Sequence, residues 1–278
     1  MRFRRHLPQL HRMIRRLPFF LPLCAVLALA GCAPAEGAPT PSVPDQGDFR
    51  VVYGAVRAPE YRAWQADLRE ARVLEDVADA LNSTFVLPED VHLAFTECGE
   101  PNAFYDADER RVRVCYELMD DLYEVFGGET ESDDELNEAA WGAIYFTLYH
   151  ELGHALVDLW DLPITGREED AADQLAAFLL TDGTEEGETA ALNGANAFIL
   201  EHDREGGEVS DSSLWNEHSL DPQRFYNIIC WVYGRDPAGY VHLIEDGVLP
   251  AERAEQCEHE YARLDRSWSG LLQPFLKR

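Results

Sequence analysis

The chain has 278 residues, 46% of them apolar and 11% aromatic, enough for one large domain or two small ones and too apolar for a disordered tail. Acidic residues outnumber basic ones 52 to 23, and six of the basic residues are arginines within residues 1–31. The remaining 17 against 52 offer no basic footprint for nucleic acid, which is excluded as a partner, and leave a self-repelling surface that favours cationic partners.

Residues 1–31 read as an export signal. Arg2 to Arg16 make a basic start, and Leu17 to Ala30 an apolar run of 14 residues, short for a bilayer span. The run ends in Leu29-Ala30-Gly31-Cys32, which resembles the bacterial lipobox, whose cysteine receives lipid and becomes the mature N-terminus. Cys32 is the expected lipidation site and membrane anchor, acyl chains being held at about 0.8 kcal/mol per buried CH₂. Ala33 and Pro34 follow, without the aspartate of an inner-membrane retention signal, so the outer membrane or periplasmic face is favoured over the cytoplasm. Residues 32–49, rich in Pro, Ala and Gly, read as a flexible tether, and residues 50–278 as the folded domain.

With Cys24 in the signal and Cys32 lipidated, four cysteines remain: Cys98, Cys115, Cys230 and Cys257. In an exported chain they suggest two disulfides, with three pairings open. Cys98–Cys115 and Cys230–Cys257 are preferred because each closes a short loop. A structural zinc site would want CxxC-type spacing, which is absent.

Tyr61 to Leu81 carries apolar residues at helical spacing, whereas Val91–Phe95 and Arg111–Cys115 alternate like half-buried strands. Asn102 to Tyr105, in a turn-rich stretch, reads as a short edge strand suited to pairing with an extended peptide. Ser132-Asp133-Asp134-Glu135 opens a helix whose apolar stripe runs to about Asp161. Further helices are expected at about Glu168–Leu180, Glu188–His202, Pro222–Tyr233, Pro237–Glu245 and Pro250–Leu272. The fold class is α+β, mainly helical, with a small sheet.

The chemistry sits at 147–173. His150-Glu151-Leu152-Gly153-His154 is an HExxH motif inside a helix-patterned run. Its histidines, at i and i+4, project from one face, so both imidazoles reach one Zn²⁺. Glu151 sits beside them, free of the metal and placed to take a proton from water. Gly153 lets a neighbouring segment approach closely. Catalytic zinc keeps three protein ligands, and no metzincin-type third histidine follows His154.

Glu169-Asp170-Ala171-Ala172-Asp173 resembles the E-x-x-A-D pattern on the second helix of gluzincin peptidases. That resemblance implies Glu169 as third ligand and Asp173 as its support. Asp173 shares a helix face with Glu169 and is placed to accept a hydrogen bond from a ligating imidazole. Glu168 and Asp170 are assigned to complementing the helix dipole.

The body as a whole, about residues 50–278, resembles a bacterial family of metallopeptidases. Shared segments are Cys-Gly-x-x-Asn-Ala-Phe-Tyr at 98–105, Cys-Tyr-Glu-Leu at 115–118, the HExxH helix, Gly-Arg-Glu-Glu-Asp-Ala-Ala-Asp-Gln at 166–174, and Glu-His-Ser…Arg-Phe-Tyr-Asn at 217–227. The resemblance implies a zincin-like fold, with the sheet next to the active-site helix, and a peptide or protein substrate. Zinc peptidases also place a His, Tyr or Arg to stabilise the oxyanion. His218 is the first candidate, Arg224 and Tyr226 weaker ones. Asp158, one turn beyond His154, either supports the site or lies at the surface, and His92, His202, His242 and His259 read as ordinary histidines. The expected function is zinc-dependent peptide hydrolysis; the rival reading is a non-catalytic lipoprotein that keeps the metal for binding or stability.

Overall fold

A computed structural model describes residues 43–277. The export signal, Cys32 and the tether up to residue 42 lie outside the described residues.

Four strands form one mixed sheet: β1 (Phe49–Val51), β2 (Val91–Thr96), β3 (Ala103–Asp106) and β4 (Arg111–Cys115), in the spatial order β1-β2-β4-β3. β1, β2 and β4 run parallel, and β3 folds back antiparallel on β4, with Ala103 opposite Val114 and Asp106 opposite Arg111. The alternation in β4 buries Val112 and Val114 and leaves Arg111 and Arg113 on the wetter face. β3 is an edge strand, at the position expected for Asn102–Tyr105. The packed body starts before residue 50. The amides of Gln46 and Gly47 donate to the Leu87 carbonyl (2.8 and 2.9 Å), and Phe49 is buried in β1, so the end of the expected tether belongs to the domain.

The helices are α1 (Pro59–Glu70), α2 (Val73–Thr84), α3 (Tyr116–Phe126), α4 (Asp133–Trp160), α5 (Glu168–Leu180), α6 (Glu185–Arg204), α7 (Asp211–Trp215), α8 (Asp221–Arg235), α9 (His242–Glu245) and α10 (Ala251–Leu272). Mainly helical with a small mixed sheet, the chain is α+β.

Two expected helices differ. The stretch 61–81 is two helices, because Arg72 adopts a left-handed backbone (φ 60°) and turns the chain. The turn lets both apolar faces, Trp64 with Leu68 and Val73 with Leu74 and Val77, reach the same core. The stretch 237–245 is mostly turn, since Asp236 accepts the Gly239 amide (3.0 Å) and stops regular winding; only His242–Glu245 is helical. α6 starts earlier than expected because Thr184 caps it, accepting the Gly187 amide at 3.1 Å.

α4 is the axis of the domain. Ser132 caps it, its hydroxyl accepting the Glu135 amide at 3.3 Å while Glu135 reaches back to the Glu131 amide at 2.8 Å. Buried residues lie all round it from Asn137 to Trp160, as expected of a helix enclosed by other elements. It packs against α5 and α6 and against α3, β3 and β4. At Gly153 the backbone of α5 comes so close that an added Cβ would stand 3.0 Å from Ala172 Cα. Two disulfides join described residues. Cys98–Cys115 ties the segment before β3 to the end of β4, and Cys230–Cys257 ties α8 to α10. Such bonds are more typical of exported proteins. Among the described residues, no helix is long and apolar enough to cross a membrane.

Candidate metal centre

Two helices position the site. α4 supplies His150, Glu151 and His154; α5 supplies Glu168, Glu169 and Asp173. The close approach at Gly153 and Ala172 brings the first turn of α5 against the imidazoles of α4.

Each histidine is oriented from its outer nitrogen. His150 Nδ1 lies 2.8 Å from Asp173 Oδ1, and His154 Nδ1 2.8 Å from Glu168 Oε1. A carboxylate only accepts, so both Nδ1 atoms carry a proton, and Nε2 of each ring is the atom turned inward. The inward atoms converge: His150 Nε2 is 3.1 Å from Glu169 Oε2, His154 Nε2 is 3.3 Å from the same oxygen, and the two Nε2 atoms are 3.2 Å apart. A metal ion would replace the protons there and take one lone pair from each of the three atoms. Donors at about 2.0–2.1 Å from one tetrahedral centre stand about 3.3 Å from each other, so the residues fit a small divalent cation.

The surroundings hold this cluster rigid. Asp173 is buried and is gripped by Arg224 of α8, whose Nε donates to Oδ2 (2.8 Å) and Nη2 to Oδ1 (2.7 Å). The Arg224 guanidinium also lies over the Phe198 ring, 3.7 Å from its centroid. Burial pushes the Asp173 carboxyl up, but Arg224 and His150 outweigh it and hold it well below the usual carboxylate range. Glu169 is likewise pushed up by burial and held far down by His150, His154 and His218. Glu151 differs: burial raises its carboxyl, and the neighbouring histidines offset this only in part. A raised carboxylate beside a metal site is a better proton acceptor than an ordinary one.

The remaining candidates are distributed as follows. His218 reaches in from the segment between α7 and α8, with Nε2 2.9 Å from Glu169 Oε2, which puts it at the donor cluster rather than apart from it as a free oxyanion donor. The ligand atoms of His150, Glu169 and His218 all lie within 4.8 Å of one another. Arg224 has two nitrogens committed to Asp173 and so acts through that carboxylate. Tyr226 is exposed, against Phe225. Asp158 is at the surface, accepting the Tyr105 hydroxyl at 2.8 Å and tying β3 to α4. Asp170 accepts the Ser219 hydroxyl at 2.6 Å, and Glu168 faces His154; both do more than complement a dipole. A cleft of about 210 Å³ opens beside the cluster, walled by Asn102 and Ala103 on one side and by His150, Glu151, His218 and Arg224 on the other.

Helix-borne imidazoles, an acidic second helix and a buried carboxylate at a cleft are the equipment of a metal-dependent hydrolase. The chain belongs to the family described as "Putative metallopeptidase", whose model matches residues 53–272. No curated protein and no solved structure matches the chain. Family membership points to a metal-dependent peptidase.

Proposed function

We propose that the protein is a zinc-dependent peptidase with a zincin-like fold from about residue 46 onward, exported through residues 1–31 and held outside the cytoplasmic membrane by lipid on Cys32, through a tether that ends before Gln46. His150, His154 and Glu169 hold the metal, and Glu151 is the general base. The carrying observation is the convergence of His150 Nε2, His154 Nε2 and Glu169 Oε2, three lone pairs within 3.3 Å of each other, each imidazole held from outside by a carboxylate. The mixed nitrogen and oxygen donor set suits zinc.

When bound, the metal supplies Lewis acidity, polarising a carbonyl and making water acidic enough to yield a proton near neutrality. Glu151 takes that proton on its carboxylate and delivers it to the leaving amine, and its burial brings its basicity towards what the step needs. Asp173 and Glu168 keep Nδ1 of His150 and His154 protonated and Nε2 free. Arg224 keeps Asp173 ionised and in place. β3, with Asn102 and Ala103 on the cleft, supplies the edge along which an extended peptide lies.

The test is a metal count joined to turnover. The purified protein is expected to carry about one zinc, and Glu151→Gln to keep it while cleavage of a mixed peptide library falls by about 10²–10⁴-fold. Loss of zinc with activity would make Glu151 a ligand or a structural prop and sink the mechanism. The second reading, a metal-binding module without turnover, draws on His218 lying against Glu169; it predicts zinc in both proteins and cleavage by neither.

A further inference from the structure

We infer that His218 is a fourth, exchangeable metal ligand, so that the structure is a closed form of the site in which a protein side chain fills the position that substrate chemistry needs. The inference rests on the proposed metal centre and adds a control to it.

His218 is held from its outer ring nitrogen. Asn216 Oδ1 accepts the His218 backbone amide at 2.9 Å, which fixes that atom as the amide's oxygen. The same oxygen lies 3.0 Å from His218 Nδ1, so Nδ1 carries the ring's proton. Nε2 is thereby turned inward, 2.9 Å from Glu169 Oε2. The ligand atoms of His150, Glu169 and His218 lie within 4.8 Å of one another, close enough for one metal ion to meet all three. The His218 ring also lies nearly parallel to that of His150, at 21° and 6.3 Å between centroids, so both send their inner nitrogens into one region.

Two hydrogen bonds latch the segment carrying His218 to the start of α5. Arg167 donates through Nη1 to the His218 carbonyl (3.0 Å), and the Ser219 hydroxyl donates to Asp170 (2.6 Å). Upstream, Gly206 and Gly207 have φ of 103° and 69°, a conformation that places few restraints on glycine and that lets the chain re-aim there. His218 lines the cleft of about 210 Å³ on one side and a second cavity of about 270 Å³, bordered by His202, Glu205 and Asp221, on the other. Release of the two latches lets the ring leave the metal position for the second cavity. A closed four-donor site is inert towards a peptide, and opening restores the vacant position that a catalytic zinc needs.

X-ray absorption at the zinc edge of the full-length protein counts its imidazoles directly. Three are expected in the parent and two in His218→Ala, with zinc content retained. Arg167→Ala paired with Ser219→Ala, which breaks the latches and leaves His218 in place, is expected to lower the average count below three. Two imidazoles in the parent would overturn the inference and leave the proposed centre standing, since His218 would then be a ring hydrogen-bonded to Glu169. A parent that holds no zinc would overturn both.

Discussion

Arg224 and Asp173, 51 residues apart in the chain, form a two-point contact in which Nε and Nη2 of the arginine meet the two carboxylate oxygens at 2.8 and 2.7 Å. Asp173 Oδ1 in turn takes the Nδ1 proton of His150. α8, which contributes no HExxH or E-x-x-A-D residue, thereby sets the orientation of the first histidine on α4.

Arg224→Met keeps the bulk of the side chain and removes the fork. Asp173 is then a buried carboxylate without its cation, a defect that costs about 3–5 kcal/mol. Zinc affinity falls with it by about 10–100-fold, as His150 loses its fixed orientation. Arg224→Lys restores the charge and not the two-point geometry, so it should recover only part of either quantity. Competition against a chromophoric chelator, run beside thermal melts, measures both. Parent-like affinity in Arg224→Met would disconnect the arginine from the metal.

Asp173→Ala and Glu168→Ala should rank in that order. Both carboxylates receive an Nδ1 proton from a histidine, but Asp173 is buried and Glu168 about half exposed, at 52% of its side-chain surface. Solvent screens the second contact to at most about 1 kcal/mol, or about fivefold in zinc affinity. Removal of Asp173 costs about 10–100-fold. Equal losses in a chelator titration would mean that burial does not control the two contacts.

Gly153→Ala separates stability from metal binding. The exchange gains about 1 kcal/mol in helix propensity, and the new methyl meets Ala172 Cα at 3.0 Å. Backbone is in the way, so α5 must shift by a few tenths of an ångström, beyond the roughly 0.2 Å a metal site tolerates. The melting temperature should stay near the parent's while zinc retention under chelation drops. Unchanged retention would show that the donors follow the helix without loss.

The loop closed by Cys98–Cys115 spans 17 residues and contains β3. Replacing both cysteines by serine should cost about 3 kcal/mol, or about 6–12 °C in melting temperature for a domain of this size. Peptide mapping without reduction should recover 98 with 115 and 230 with 257. Any crossed pairing would contradict the structure.

The parts that the sequence made legible are those encoded locally. The four-residue step from His150 to His154, the apolar stripe of α4 and the alternation in β4 each follow from the period of one element. The register of the acids on α5 came from a motif, and the structure sets Glu169 against both histidines. Interactions across distant segments were not legible. Arg224 reads from the sequence only as a weaker oxyanion candidate, and its grip on Asp173 emerges once α8 is packed on α5. Asn216 has no recognisable spacing to His218 beyond a loop. The break at Arg72 escaped because neither Gly nor Pro marks it, and the requirement that α1 and α2 share a core imposes the left-handed turn. Glu168 looked like dipole complementation because its neighbours are acids; only the position of His154 sets it apart.

The tight crossing of Gly153 and Ala172 decides where the sequence is free to drift. The connection from 161 to 167 lies outside that crossing and carries none of the three inward donors. Insertions or deletions there leave the spacing of the two helices untouched, whereas one additional carbon at 153 or a bulky side chain at 172 moves every donor on α5 against those on α4. Among relatives, the size of the residues at these two positions is therefore a better guide to a working site than the length of the link that joins them.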